Sequence, residues 1–307
     1  MRILGHIHTF NDEDVIERSV QALLEQTHPL DEVLVVDNAS QDGTLDRRFP
    51  PPVTVIRHSE NRGTSGAVIT GFEYALGKGY DWIWIFDADT APEKDALEKL
   101  LGLYHSFPLP LQAQTWLLGG VHVEPSLEIP PYGAIFTRRG QIAVRPDPHH
   151  AARELHATIW SGSLYRLPLV RRLGLPTANY VLDWGEYEYG YRGMRAGYRS
   201  FLHSASIVHH NIGGRAALHY TAYRWGPLTV RLKELPPIRC YYLVRNLLHF
   251  WLYRYHVWTV HTLTGCALNV VKITTHFLLR PRTHRRELRA CLRGIRDGLG
   301  NALERRY

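Results

Sequence analysis

Trp82-Ile83-Trp84-Ile85-Phe86-Asp87-Ala88-Asp89-Thr90 constrains the fold more than any other stretch of this chain. Five large apolar residues run straight into two carboxylates one residue apart. An unbroken apolar run of this length is the pattern of a strand buried on both faces, as in a parallel sheet covered by helices. In open α/β sheets ligands bind beyond the carboxyl ends of the strands, so Asp87 and Asp89 stand where a ligand would. Two acids this close repel each other unless a proton or a cation intervenes. Mg²⁺ commonly takes one or two carboxylates together with phosphate oxygens, which makes a divalent ion carrying a diphosphate the sharper reading. The plainer one is a solvated strand end, with Thr90 capping the next helix.

The neighbouring stretches repeat the strand–helix alternation. Residues 2–8 read as a first strand. Asn11 is placed to cap a helix over 12–26, whose acids cluster in the first turn and whose Ile16, Val20, Leu23 and Leu24 share a face. Residues 32–37 form a second buried strand ending on Asp37, followed by a loop of turn-forming residues from Asn38 to Thr44. Residues 53–57 give a third strand. Asn61-Arg62-Gly63-Thr64-Ser65-Gly66 opens the next helix, and Pro92 suits the first position of another. Short loops in this order predict a doubly wound, mostly parallel sheet with right-handed crossovers. Thr9, Asp37 and the Asp87/Asp89 pair then converge on its carboxyl edge. The Asn61–Gly66 loop faces the same edge, where glycines and a helix N-terminus favour phosphate. The first strand lacks the dinucleotide glycine pattern, so a mononucleotide diphosphate fits better than NAD.

Several motifs here, taken together, resemble family 2 glycosyltransferases of the GT-A fold. They are Thr9-Phe10-Asn11, Val35-Val36-Asp37-Asn38-Ala39-Ser40-Gln41-Asp42-Gly43-Thr44, Asn61-Arg62-Gly63 and Asp87-Ala88-Asp89. The resemblance covers most of residues 1–105, in order. It implies that Asp37 holds the nucleotide base, that Thr9 borders the nucleoside, and that Asp87 and Asp89 hold the metal on the sugar-nucleotide diphosphate. Asn11, Asn61 and Gly63 join them as expected donor-binding residues. Ala88 stands where many relatives carry a third acid. His6 and His8 are read as core or strand-face residues rather than ligands, and His149-His150 as part of a solvated loop within a poorly readable stretch over 106–155.

Thr158-Ile159-Trp160-Ser161-Gly162-Ser163 resembles the family segment whose small residues admit the donor sugar, which adds Ser161 to the donor side. Asp183-Trp184-Gly185-Glu186-Tyr187-Glu188 is similar to the acidic motif of galactofuranosyl- and rhamnosyltransferases. The resemblance puts Glu186 at the position of the general base. Gly185 replaces the preceding acid, Glu188 matches the last one, and Asp183 is a further candidate. A sugar hydroxyl attacking an anomeric carbon needs a carboxylate within hydrogen-bond reach, and a metal takes the charge of the leaving diphosphate; one of each gives single displacement with inversion. Trp184 and Tyr187 can stack on sugar faces and are expected on the acceptor side. The same acids would also suit a helix N-terminus for purely structural reasons. The family further places a histidine before a glycine turn; His210 fits that place, and Mn²⁺ accepts mixed nitrogen and oxygen ligands. Mn²⁺ or Mg²⁺ is the expected cofactor.

Charge divides the chain. Residues 239–307 carry 13 Lys+Arg against 3 Asp+Glu, a surplus of 10, so with +7 overall the remainder is at −3. Tyr241-Tyr242-Leu243-Val244-Arg245-Asn246 resembles the stretch that opens the C-terminal helices of rhamnosyltransferase-like members. No apolar run in this region is long enough to span a bilayer. Arg282, Arg286, Arg289, Arg293 and Arg296 step along one helical face, with Leu288, Leu292, Ile295, Leu299 and Leu303 along another. That pattern suits a membrane interface as well as a helix packed on the catalytic body. Three scattered cysteines fit a reducing compartment.

The expected organisation is a catalytic domain over 1–225, divided at 105 into nucleotide-sugar and acceptor halves, followed by a helical membrane-associating region over 226–307. The expected activity is metal-dependent, inverting transfer of rhamnose or galactofuranose from a UDP- or dTDP-linked donor to a cell-envelope or polyprenyl-linked glycan. It would take place on the cytoplasmic face of the membrane, with no nucleic-acid partner. The rival is a degenerate, non-catalytic body whose basic tail binds an anionic surface or nucleic acid; the joint presence of Asp37, Asp87, Asp89, Glu186 and His210 weighs against it.

Overall fold

The computed structural model describes the chain apart from residues 47–48, 124–132, 148, 213–219, 226–227, 234, 256–259, 261–263, 266, 269–270, 272–284 and 305–307. Strands β1 (Ile3–Thr9), β2 (Glu32–Asp37), β3 (Val53–Arg57) and β4 (Trp82–Asp87) lie parallel in the order β3-β2-β1-β4. The apolar run of β4 serves two layers. Trp82, Trp84 and Phe86 pack with helices α1 (Ile16–Leu24) and α3 (Ala96–Ser106). Ile83 and Ile85 pack on the other face with α2 (Gly63–Lys78). Alternate side chains of one strand thus feed two cores, which is why the run contains no polar residue.

Beyond β4 the sheet becomes mixed. Strand β5 (Thr90–Pro92) follows at once, and a short helix α4 (Leu109–Gln114) leads into β6 (Thr115–Val123). A hairpin β7–β8 (Gly133–Thr137, Gly140–Val144), then β9 (Ala152–Leu155) and β10 (Ala157–Thr158), precede β11 (Ser163–Arg166). β11 inserts antiparallel between β4 and β6. Helices α5 (Leu167–Leu173) and α6 (Gly185–Arg195) lead to β12 (Arg199–His210), which runs parallel to β6. β13 (Tyr220–Trp225) and β14 (Leu228–Lys233) pair with each other.

Three local expectations change. The first helix begins at Ile16, because Asn11 takes a left-handed conformation (φ 58°) and its side chain accepts from Gln41 N at 2.8 Å instead of capping. Thr90 starts a strand rather than capping a helix, and α3 begins at Ala96. The strand expected over 199–203 runs for 12 residues, since β9 and then β5 pair along its second edge; its small polar middle, Ser204-Ala205-Ser206, hides the period.

Helix α7 (Pro237–His249) continues into a π-helical turn (Phe250–Arg254), and α8 (Arg285–Leu299) packs against α7. The buried face of α8 is Ala290, Cys291, Gly294, Asp297 and Gly298, with Asp297 Oδ2 accepting from the Tyr241 hydroxyl at 2.8 Å. Small residues let the two backbones approach, so they, rather than the leucines, face inward. The expected leucine stripe is therefore split: Leu288 and Ile295 are half-buried, whereas Leu292 and Leu299 are each 53% exposed. Arg282 and Cys266 lie outside the described residues. Among the described residues, no helix is long and apolar enough to cross a membrane.

Candidate active site

Strand register assembles the site. β1 pairs with both β2 and β4, setting Thr9 against Asp37 and His8 against Asp87 at the carboxyl edge. The chain then turns, and β5 pairs antiparallel with the end of β12, setting Thr90 against His210. That pairing brings a residue 121 positions downstream beside Asp89. Ligating atoms of Asp87, Asp89 and His210 all lie within 4.8 Å of one another, with His210 Nε2 3.7 Å from Asp89 Oδ1. His209, the next residue along the strand, points the other way and lies 3.5 Å from Glu93, as alternation along a strand requires.

The two acids titrate apart. Burial opposes ionisation of Asp87, but the charge and hydrogen bond of His8, with help from His210 and His122, hold its carboxyl down at about 2. Burial first, and then the Asp87 charge, push Asp89 up to about 6 against the pull of His210. Two carboxylates that resist joint ionisation, joined by an imidazole, are a donor set that a divalent cation relieves. The residues therefore fit a metal.

His8 is the residue that sequence reasoning undervalued. Its Nε2 lies 2.7 Å from Asp87 Oδ1. Aligning the ends of β1 and the acidic strand would have placed it there. His6, by contrast, is fully buried, and neither ring nitrogen finds a hydrogen-bond partner among the described residues. Partners that orient a metal-ligating carboxylate typically contribute about 10–100-fold to metal affinity. His8→Ala is accordingly expected to weaken Mn²⁺ binding by about that factor, read by calorimetry, with Tm little changed; unaltered affinity would show that the contact orients nothing.

A cavity of about 750 Å³ opens at this edge, within the range of small-ligand sites. His8, Thr9, Asn61, Gly63, Asp87 and Asp89 line it, joined by Asn38 and by Ile238 and Arg239 from α7. Asn38 links the loops behind it: its Nδ2 donates to Gly63 O at 3.1 Å and its Oδ1 accepts from Arg62 N at 3.3 Å. Asn61 Oδ1 accepts from Gly63 N at 2.8 Å. Gly63 has φ 69°, and a Cβ there would stand 2.5 Å from Val181 O, so only glycine fits.

Three of the expected donor residues sit behind the cavity wall. Asp37 is fully buried; it accepts from Ser40 N at 3.1 Å and pairs with Arg57 at 3.3 Å. Asn11 ties its loop to Ser40 and Gln41. Ser161 Oγ accepts from Asp87 N at 3.2 Å, and Ser161 O accepts from His122 Nε2 at 2.8 Å.

The acidic motif opens α6. Glu186 is half-buried in the first helical turn. Burial first, with the charges of Asp183 and Asp87 adding to it, pushes its carboxyl up to about 7, against Arg239. Glu188 faces elsewhere: it is 1% exposed, ion-paired with Arg192 at 3.1 Å and Arg254 at 3.6 Å, and accepts from Thr177 at 3.2 Å. Asp183 is held by Arg239 at 3.1 Å. A Cβ on Gly185 would lie 2.8 Å from Ser65 Oγ, so a side chain there would push into the first turn of α2. The Trp184 and Tyr187 rings lie 5.2 Å apart with their planes tilted by 46°, and Trp184 also meets Phe250 at 5.5 Å.

Residues 6–109 match the family model described as Glycosyl transferase family 2. The chain carries a family 2 glycosyltransferase domain. It is 26% identical over 227 residues to galactofuranosyltransferase GlfT1 of Mycolicibacterium smegmatis, covering 69% of this chain and 74% of that one. It is 36% identical over 106 residues to an undecaprenyl-phosphate mannosyltransferase of Micrococcus luteus, covering 33% of this chain but only 43% of the relative. Among solved structures, S. aureus TarS 1-349 in complex with UDP-GlcNAc aligns at TM-score 0.57 and 15% identity over 99% of this chain and 82% of that one. The mannosyltransferase PcManGT from Pyrobaculum calidifontis, with GDP-Man and Mn²⁺, aligns at 0.56 and 14%, over 98% and 87%. The glycosyltransferase domain thus has the GT-A fold, and the sheet edge that carries Asp87 and Asp89 lies within the matched residues.

Proposed function

We propose that this glycosyltransferase moves a sugar from a nucleotide-diphospho-sugar to a glycan or lipid-linked acceptor, in one inverting displacement that requires Mn²⁺ or Mg²⁺. The observation that carries the reading is the Asp87, Asp89 and His210 cluster, whose two acids line the cavity. Asp87, Asp89 and His210 would hold the ion, which when bound neutralises charge on the leaving diphosphate. Thr9, Asn61 and Gly63 would border the donor in the cavity, with Asp37, Asn11 and Ser161 shaping its wall from behind. Glu186 would accept the proton of the attacking hydroxyl; a base poised near the working pH is the best compromise between charge and basicity. Trp184 and Tyr187 stand beside it on the acceptor side. The GlfT1 relatives support galactofuranose as the sugar, and rhamnose remains the second choice. The decisive experiment is a panel of UDP-, dTDP- and GDP-sugars tested by calorimetry with and without Mn²⁺. Binding that ignores the metal would remove the cation from the mechanism, and binding of no sugar nucleotide would favour the non-catalytic rival.

A peripheral membrane location on the cytoplasmic face is part of the proposal. Arg286, Arg289 and Arg293 are exposed on α8 alongside Leu292 and Leu299. Each basic residue near an anionic surface contributes about 1 kcal/mol. Changing the three arginines to Gln is expected to reduce binding to phosphatidylglycerol vesicles about a hundredfold and to leave transfer to a soluble acceptor intact. Cosedimentation equal to that of the unmodified chain would place the anchor elsewhere. Deleting residues 282–307, the obvious test from sequence, confounds the two effects, because it strips α8 from the buried face of α7.

A further inference from the structure

The Tyr241-Tyr242-x-x-Arg245-Asn246 run plays no part in the chemistry described above, yet Arg245 and Asn246 are fully buried. What they bind is the segment that leads into Glu186. Asn246 Nδ2 donates to the carbonyls of Leu182 at 2.7 Å and Asp183 at 2.9 Å. Asn246 Oδ1 accepts from Arg245 Nε at 2.9 Å and Nη2 at 2.7 Å. Arg245 also donates to Asn179 O, and its guanidinium lies 4.7 Å from the Tyr242 ring centre and 5.5 Å from that of Tyr241. Seven residues before Asn246, two turns along α7, Arg239 grips the Asp183 carboxylate at 3.1 and 3.3 Å. One helix thus holds the backbone at three points and the side chain at a fourth.

The segment needs holding. Asp183 and Trp184 are consecutive non-glycine residues in the left-handed region, with φ 56° and 69°. Such conformations persist only where the surroundings enforce them, and they cluster at functional sites. Glu186 follows two residues later, in the first turn of α6. On its other side the segment leans on the donor loop: Ser65 Oγ donates to Tyr180 O, and Val181 fills the space beside Gly63. The turn is therefore wedged between the first turn of α2 and α7.

We propose that Asn246 and Arg245 are positioning residues for transfer: by holding the Asp183–Trp184 turn in its left-handed conformation, they set where the Glu186 carboxylate stands relative to Asp87 and the cavity. The inference rests on Glu186 as the general base. Displacement of a reacting group by about 1 Å can cost about 10²-fold in rate, whereas Thr9, Asn61, Gly63, Asp87 and Asp89, which border the donor in the proposed reading, stand at the ends of the N-terminal strands and at the start of α2.

The test uses the full chain. Asn246→Asp keeps the acceptor for Arg245 but turns an oxygen toward two carbonyl oxygens. It is expected to lower kcat about 10–100-fold, with donor Kd, measured by calorimetry with Mn²⁺, unchanged within about twofold. Introduced into a Glu186→Gln chain, it should lower the residual kcat less than about twofold, because the base it positions is already gone. Arg245→Lys keeps the charge but loses the fork; it should give a smaller loss of the same kind, and it carries the test if Asn246→Asp does not fold. A lowered Tm with kcat unchanged, or losses that multiply fully in the double variant, would overturn the proposal. Full turnover in Glu186→Gln alone would instead overturn the base assignment, whatever Asn246 does.

Discussion

Glu186→Gln is expected to lower kcat by about 10²–10⁴-fold, the usual contribution of a general base, while donor Kd stays within about twofold. Glutamine keeps the size and the hydrogen-bonding capacity but accepts no proton. The pH profile gives a second readout. Burial, reinforced by the charges of Asp183 and Asp87, holds the Glu186 carboxyl at about 7. A base works only when deprotonated, so wild-type kcat should rise with pH through about 7 and level off above it; the glutamine variant should lack that rise. Two parallel variants separate the carboxylates. Asp183→Asn removes one side of the Arg239 pair, though asparagine tolerates the left-handed backbone. Glu188→Gln leaves Arg192 and Arg254 facing a neutral side chain in a buried place, which should lower Tm more than kcat. Loss of turnover in either of these, with near-wild-type turnover in Glu186→Gln, would mean that the base is a different acid.

The parallel core of the sheet could be read from the chain because its signals are local. Trp82–Phe86 declares a strand buried on both faces, and the order of strand, glycine-bearing loop and helix restricts the topology. Asp37, Asp87 and Asp89 could be picked out for the same reason, since they stand at or just past the end of an apolar run, whereas Glu186 was picked out only through a family motif. His8 was less visible, since only the β1–β4 register brings it to Asp87. The length of β12 depends on three partner strands that no local pattern announces. The inward face of α8 was not legible because leucines advertise burial more loudly than Ala290, Gly294 and Gly298, yet the small residues are what α7 accommodates. The hold of Asn246 on Leu182 and Asp183 spans more than sixty residues of sequence. It could not be inferred from a motif that carries no charge pattern or period of its own.

Asp89→Ala should abolish measurable Mn²⁺-dependent donor binding while leaving the fold intact. Loss of partners that merely orient a metal ligand typically costs about 10–100-fold in affinity, so loss of a direct ligand should exceed that range and exceed the effect of His8→Ala. Folding should survive. Asp89 is a half-buried acid whose carboxyl is pushed up to about 6 by burial and by Asp87. A carboxyl held above its ordinary 3.8 binds its proton more tightly folded than unfolded, so it opposes folding increasingly as the pH rises from 3.8 and to its full extent above about 6, and its removal should leave Tm at neutral pH unchanged or slightly higher. A purely structural acid would behave in the opposite way, with Tm falling and donor affinity following the folded fraction. Calorimetry with UDP- and dTDP-sugars, with and without Mn²⁺, run beside a thermal melt, distinguishes the two. Donor affinity that stays metal-dependent and unchanged in Asp89→Ala would remove this carboxylate from the ligands of the ion.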